Sequence, residues 1–317
     1  MVQSKDYRPP LFFRNRHLNT VYPALFRKIG GVTYERERIA TPDQDFLDLD
    51  WSKVERQKLV ILLHGLEGSA DRPYIRGMAK VFNLHGWDAV GINFRSCSGE
   101  PNLLLRSYHM GVSDDLEVVV NHAIQLGYKE IALIGFSLGG NVLLKYLGEQ
   151  GRTIPSEIIG GVAYSVPCHI SSANVEIEKW FNRMYLKRFL DGLNAKVQEK
   201  AQRFPDRVDV SRPAPRTFQE FDDQYTAPIH GFRDARDYWE SCSSLYFLDD
   251  ICVPCLIVNA KDDSFLSEQC YPHEAVAANR YLQLDIPDYG GHVGFVTVDE
   301  EGFYWSERRA LEFIKAL

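Results

Sequence analysis

Short, almost wholly apolar runs alternate along this chain with stretches of helical spacing, and that alternation constrains the fold more than any other feature. Lys58–Gly65 reads KLVILLHG, an apolar run closed by glycine. Between Arg72 and Leu84, Ile75, Met78, Ala79 and Phe82 recur on one helical face. DAVGINF, EIALIGF, IIGGVAYSVP, CLIVNA and YLQLDIP continue the strand series. Helical patterns fall at Asp115–Leu126, from Leu138 to near Gly151, and at Trp305–Leu317. A strand covered on both faces has no need of polar alternation, so such runs belong to a parallel sheet under helices. Upstream, VTYERERIA and FLDLDW flank the turn-forming TPDQD, the pattern of an antiparallel hairpin. The expected class is α/β: a mostly parallel sheet flanked by helices, with right-handed crossovers.

One interval breaks the rhythm. From residue 168 to residue 247 no clear strand appears, and the segment is rich in Arg, Lys, Phe, Tyr and Trp. Helical stretches near Glu176–Leu190 and Asp234–Ser241 bracket the proline-punctuated RPAPRTFQEFDDQYTAPIHG. An insertion between core strands reads as a cap over the carboxyl edge of the sheet. The expectation is therefore one domain over 1–317 with a cap at 168–247.

The chain's 317 residues are 45% hydrophobic, ample for a large core, and its formal net charge is −7. An acidic balance without a basic face makes nucleic acid an unsuitable partner. The longest aliphatic run, LVILL, is far below the ~20 residues of a membrane span. Arg14, Arg16 and His17 interrupt the N-terminal segment, which lacks the apolar core of a secretory signal. A cytoplasmic protein without stable membrane insertion is expected. Six cysteines fit free thiols better than a disulfide framework. Cys252 and Cys255 form a C-x-x-C, but no second pair accompanies them, and Cys255 opens an apolar strand. No metal or organic cofactor is implied.

The chemistry gathers where strands end. GFSLGG, Gly135–Gly140, sits between strand EIALIGF and helix LGGNVLLKYL, the setting in which G-x-S-x-G exposes a serine nucleophile, here Ser137. Its glycines are expected to avoid clashes with the neighbouring strand and helix. A serine needs a base, and in this fold type the order is Ser, acid, His. His292, in YGGHVGF after the last strand, suits the base, whereas His273 suits a surface helix. Of the adjacent Asp262 and Asp263 after CLIVNA, Asp262 is expected as the acid, leaving Asp263 as a solvated turn residue; the reverse is the alternative. Oxyanion donors are expected at the N–H groups of Leu138 and of Leu66, in HGLEGS. His64, on that same strand end, suits a structural hydrogen bond.

At these residues the sequence resembles the YheT-like branch of the α/β-hydrolases, which includes yeast ethyl ester synthases and mammalian lipid esterases and phospholipases. RNRHLNTVYPALFR, HGLEGS, NFRSCSGEPN, YHMGVSDDL, GFSLGGN, EFDDQYTAPIHGF, DYWESCS, NAKDDSF and GGHVGF carry the resemblance over nearly the whole chain. It implies an α/β-hydrolase fold with Ser137 as nucleophile, Asp262 as acid and His292 as base. Ser264 stands where members of the branch often have proline after the paired aspartates. Arg95 and Glu100 are expected to form a structural ion pair, and His109 to border the pocket without a catalytic role.

The expected activity is hydrolysis of carboxylic esters through an acyl-enzyme, with a small-molecule ester of apolar acyl group as substrate. Transfer of the acyl group to an alcohol would use the same intermediate. A binding module without catalysis is the third reading, and an intact Ser, Asp and His set argues against it.

Overall fold

A computed structural model describes residues 7–298 and 301–317. Eight strands form one sheet in the order β1-β2-β4-β3-β5-β6-β7-β8. The hairpin is β1 (Glu35–Ala40) and β2 (Phe46–Ser52); β2 pairs antiparallel with β4 (Asp88–Asn93). From β4 onward all pairings are parallel, through β3 (Lys58–Leu63), β5 (Glu130–Phe136), β6 (Ile158–Tyr164), β7 (Cys255–Val258) and β8 (Leu282–Asp285). The strand series expected from the apolar runs is therefore present, with the antiparallel hairpin at one edge and the parallel part running from β4 to the other edge at β8.

Alternate residues of β3 face opposite sides. Leu59, Ile61 and Leu63 join one core with α3 (Ser113–Gln125) and α4 (Leu138–Gln150). Val60 and Leu62 join the other with α2 (Pro73–Leu84) and α11 (Trp305–Lys315). Two covered faces explain why these strands show no polar alternation. Helix α1 (Arg16–Phe26) precedes the sheet in sequence, and its Arg27 side ties to α11 through a bidentate Arg27–Glu307 pair at 2.6 and 2.8 Å.

Between β6 and β7 the chain builds α5 (Ile170–Ile177), α6 (Arg183–Arg203), α7 (Phe218–Phe221), α8 (Ala227–His230) and α9 (Ala235–Cys242). A π-helical turn, Asp222–Thr226, joins α7 to α8. The single helical stretch expected near Glu176–Leu190 is broken in two. A 3-10 turn at Trp180–Asn182 interrupts it, and the Asn182 amide donates to the Glu176 carbonyl at 3.0 Å. Helix α10 (His273–Ala278) carries His273 exposed on the surface.

Candidate active site

Four strand ends converge. The turn after β5 holds Ser137 at φ 53°, ψ −117°, a conformation sparsely populated by residues other than glycine. A Cβ on Gly135 would fall inside the carbonyl of Gly139, and one on Gly139 would fall inside the Leu63 carbonyl of β3. The glycines are thus required by close backbone approach. Ser137 Oγ donates to His292 Nε2 at 2.9 Å, and His292 Nδ1 donates to Asp263 Oδ2 at 2.9 Å.

The acid position differs from the sequence expectation. Asp263, not Asp262, meets the imidazole, and its side chain is fully buried instead of solvated. The reason lies in the turn after β7. Its N–H closes a turn onto the Ala260 carbonyl at 3.1 Å, and its second oxygen accepts from Phe265 N–H at 3.0 Å, which aims the carboxylate inward. Asp262 instead accepts from the backbone N–H of Gly291 at 2.9 Å, so it holds the main chain of the loop whose ring Asp263 holds. Burial raises the Asp262 carboxyl to about 6, opposed by that Gly291 donor and reinforced by the Asp263 charge. Ser264 is fixed from the segment between β6 and β7: its Oγ donates to Asn182 Oδ1 at 2.9 Å while Asn182 Nδ2 donates to the Ser264 carbonyl at 2.7 Å.

The His292 loop has further supports that sequence reasoning missed. His292 N–H donates to Thr20 Oγ1 of α1, and Val293 N–H to Ser165 Oγ, each at 2.9 Å. Val293 sits at φ 64°, a costly conformation for a β-branched residue. The ring of Phe265 lies 4.2 Å from that of His292. The signal for Thr20 was the long N-terminal match RNRHLNTVYPALFR, which had no chemical reading of its own.

After β3, the hydroxyl of Tyr74 takes the Gly65 N–H at 3.0 Å and that of Tyr108 takes the Glu67 N–H at 2.9 Å. Leu66, between them, and Leu138, after the serine, both line the cavity at Ser137. Glu67, at φ 53°, is clamped by Lys196 of α6 at 2.7 Å and by the Tyr108 hydroxyl at 2.5 Å, so the cap also grips this loop. His64 is wholly buried; its Nδ1 donates to the Gly65 carbonyl at 2.7 Å and its Nε2 accepts from Phe94 N–H at 3.2 Å. Burial lowers its pKa to about 3, which keeps the ring neutral and structural.

Arg95 does not pair with Glu100. It is buried against Asp115 at 2.8 Å and Asp43 at 2.9 Å, whereas Glu100 meets Arg38 at 2.8 Å. A buried guanidinium needs several acceptors to offset its lost hydration, and the hairpin and α3 supply them where the exposed Glu100 could not. Among the described residues no cluster of three His, Cys, Asp or Glu side chains could hold a metal ion, and no helix is long and apolar enough to cross a membrane.

Two cavities meet at Ser137, His292, Leu66, Phe189 and Phe265. The first, about 110 Å³, runs beneath the cap among Ala173, Ile177, Phe218 and Phe221. The second, about 150 Å³, lies between α1 and α6, bounded by Val21, Ala24, Tyr185 and Arg188. His109 lines the first cavity, as does Asp222. Asp222 accepts from Trp239 Nε1 at 2.7 Å and Thr226 Oγ1 at 2.6 Å, and burial still pushes its carboxyl to about 7. A carboxyl raised in the folded state stabilises most at acid pH and loses that contribution as pH rises from about 4 through about 7. Asp222→Asn mimics the protonated form, so above pH 7 the variant should be more stable than the parent by roughly 2–4 kcal/mol. Urea melts at pH 5 and pH 8 should show the two proteins converging at the lower pH.

Comparison with known proteins agrees with this architecture. The family description "alpha/beta hydrolase fold" matches residues 58–297. The chain belongs to the α/β-hydrolase family. Within that family it is 35% identical over 301 residues to the Escherichia coli protein named "Putative esterase YheT", covering 92% of this chain and 88% of the relative. It is 29% identical to Phospholipase ABHD3 of Mus musculus, covering 100% of this chain and 80% of that one. Among solved structures, the Pyrococcus furiosus esterase Pf2001 shares the α/β-hydrolase fold with a TM-score of 0.60 at 20% identity, covering 92% and 95% of the two chains.

Proposed function

We propose that this α/β-hydrolase is a serine esterase acting on esters with an apolar acyl group. The observation that carries the reading is the unbroken relay from Ser137 Oγ through His292 to Asp263, opening into an apolar cavity. In this reading His292 Nε2 takes the Ser137 proton as Oγ attacks the ester carbonyl. The Asp263 carboxylate fixes the tautomer and stabilises the imidazolium. The N–H groups of Leu66 and Leu138 receive the oxyanion, each donor contributing ~2.7–4 kcal/mol. His292 then protonates the departing alcohol, and water releases the acid by the same steps in reverse. The cap, residues 168–247 in this reading, encloses the acyl group under Ala173, Ile177, Phe218 and Phe221, while the cavity between α1 and α6 takes the alcohol side. Relatives named as an esterase and a phospholipase support ester chemistry.

A series of p-nitrophenyl esters from acetate to palmitate tests this. kcat/KM should rise about fourfold per added CH₂ until the cavity is filled, the transfer free energy of one methylene. Ala173→Phe, which fills the first cavity, should move the optimum to shorter chains. Negligible turnover across the whole series would reject the esterase reading. Products analysed with added alcohol would separate hydrolysis from acyl transfer.

A further inference from the structure

Helix α1 is apolar on two sides. Asn19 and Pro23 are buried against the body, and Val21 and Ala24 wall the second cavity. Leu18, Tyr22, Leu25 and Phe26, at helical spacing i, i+4, i+7 and i+8, point outward instead, with Leu25 61% and Phe26 64% exposed. Phe12, just before the helix, is 81% exposed. Trp180, in the turn before α6, and Met184, in the first turn of α6, are 80% and 70% exposed. Helix α1 and this segment touch: His17 stacks on Tyr185 with 5.9 Å between ring centroids, and Arg16 lies 4.7 Å over the Phe181 ring. Exposed apolar side chains therefore stand on both sides of the α1–α6 contact, on the elements that wall the cavity reaching Ser137.

Charge sets this face apart from the rest of the molecule. From Tyr7 to Tyr34 the chain has no carboxylate, although its net charge is −7. Arg27 is occupied by Glu307, and on the cap Lys179 and Lys187 pair with Glu176 and Asp191. Arg8, Arg14, Arg16, Lys28, Arg183 and Arg188 make no ion pair among the described residues. Exposed large apolar side chains among unpaired cations match the boundary between acyl chains and anionic headgroups. A second copy of this face would set cation against cation.

We propose that this face is a docking surface for an anionic lipid bilayer, on which the protein sits peripherally with the α1–α6 cavity facing the lipid. Leu18, Tyr22, Leu25, Phe26, Trp180 and Met184 enter the acyl boundary, and the arginines lie at headgroup level. Among the described residues no helix is long and apolar enough to span the bilayer. The docking stands apart from the chemistry at Ser137 and is measured without turnover.

Co-sedimentation of the full chain with sucrose-loaded vesicles tests it, comparing phosphatidylcholine alone with phosphatidylcholine containing phosphatidylglycerol. Binding should be at least about tenfold stronger on the anionic vesicles and weaken with added salt. Leu25→Glu with Phe26→Glu should cost at least about tenfold in partitioning while leaving the thermal melt unchanged, because both side chains are exposed. Trp180→Glu, on the other side of the α1–α6 contact, should act in the same direction and serves if the double variant folds poorly. The proposal is overturned if the parent chain fails to bind anionic vesicles at low salt, or if both variants bind as well as the parent. It is equally overturned if light scattering shows a dimer that these substitutions disperse.

Discussion

Ser137→Ala should lower kcat by about 10⁶-fold, because the hydroxyl is the sole attacking atom in the relay and its loss idles His292 and Asp263 together. The fold should survive, since alanine occupies the same φ of 53° no less readily than serine and removes only the Oγ donor. Steady-state turnover of a p-nitrophenyl ester, read beside labelling by a fluorophosphonate probe, measures the effect. The parent should be labelled at one site and the variant should not. Labelling that persists in the variant would assign the nucleophile to another residue.

The second large effect separates the paired aspartates. Asp263→Asn should cost about 10⁴-fold in kcat with KM little changed. An amide NH₂ facing Nδ1 would make that nitrogen an acceptor and move the ring proton to Nε2, where it blocks removal of the serine proton. Asp262→Asn retains an oxygen for the Gly291 N–H and should cost no more than about tenfold, through a looser loop. A pair of kcat values in the opposite order would restore Asp262 as the acid.

That contrast marks the limit of what the residues alone disclosed. The sheet was legible because strands buried on both faces carry unbroken apolar runs, as in LVILL of β3. That the side chains of Ser137 and His292 would meet was legible because each follows such a strand, and the glycines around Ser137 have a steric cause visible in the motif. The choice between two adjacent aspartates depends on one turn's hydrogen bonds, from Asp263 N–H to Ala260 and from Phe265 N–H to the carboxylate, which residue types do not encode. Arg95 has its partners far away in sequence, Asp43 and Asp115, so the nearby Glu100 was a misleading candidate. The role of Thr20 was hidden for the same reason: it lies 272 residues from the histidine it supports. Long-range polar pairing, more than secondary structure, is what the linear pattern withheld.

The mutual bonds between Asn182 and Ser264 have an evolutionary corollary. Specificity in such enzymes would be altered most simply by exchanging the whole inserted segment for another. Here a donor segment lacking an amide at that position would unfasten the turn that presents Asp263. Diversification along this lineage should therefore proceed by point changes lining the cavities, with the Asn182 amide kept because its bond to the residue-264 carbonyl does not need the serine hydroxyl.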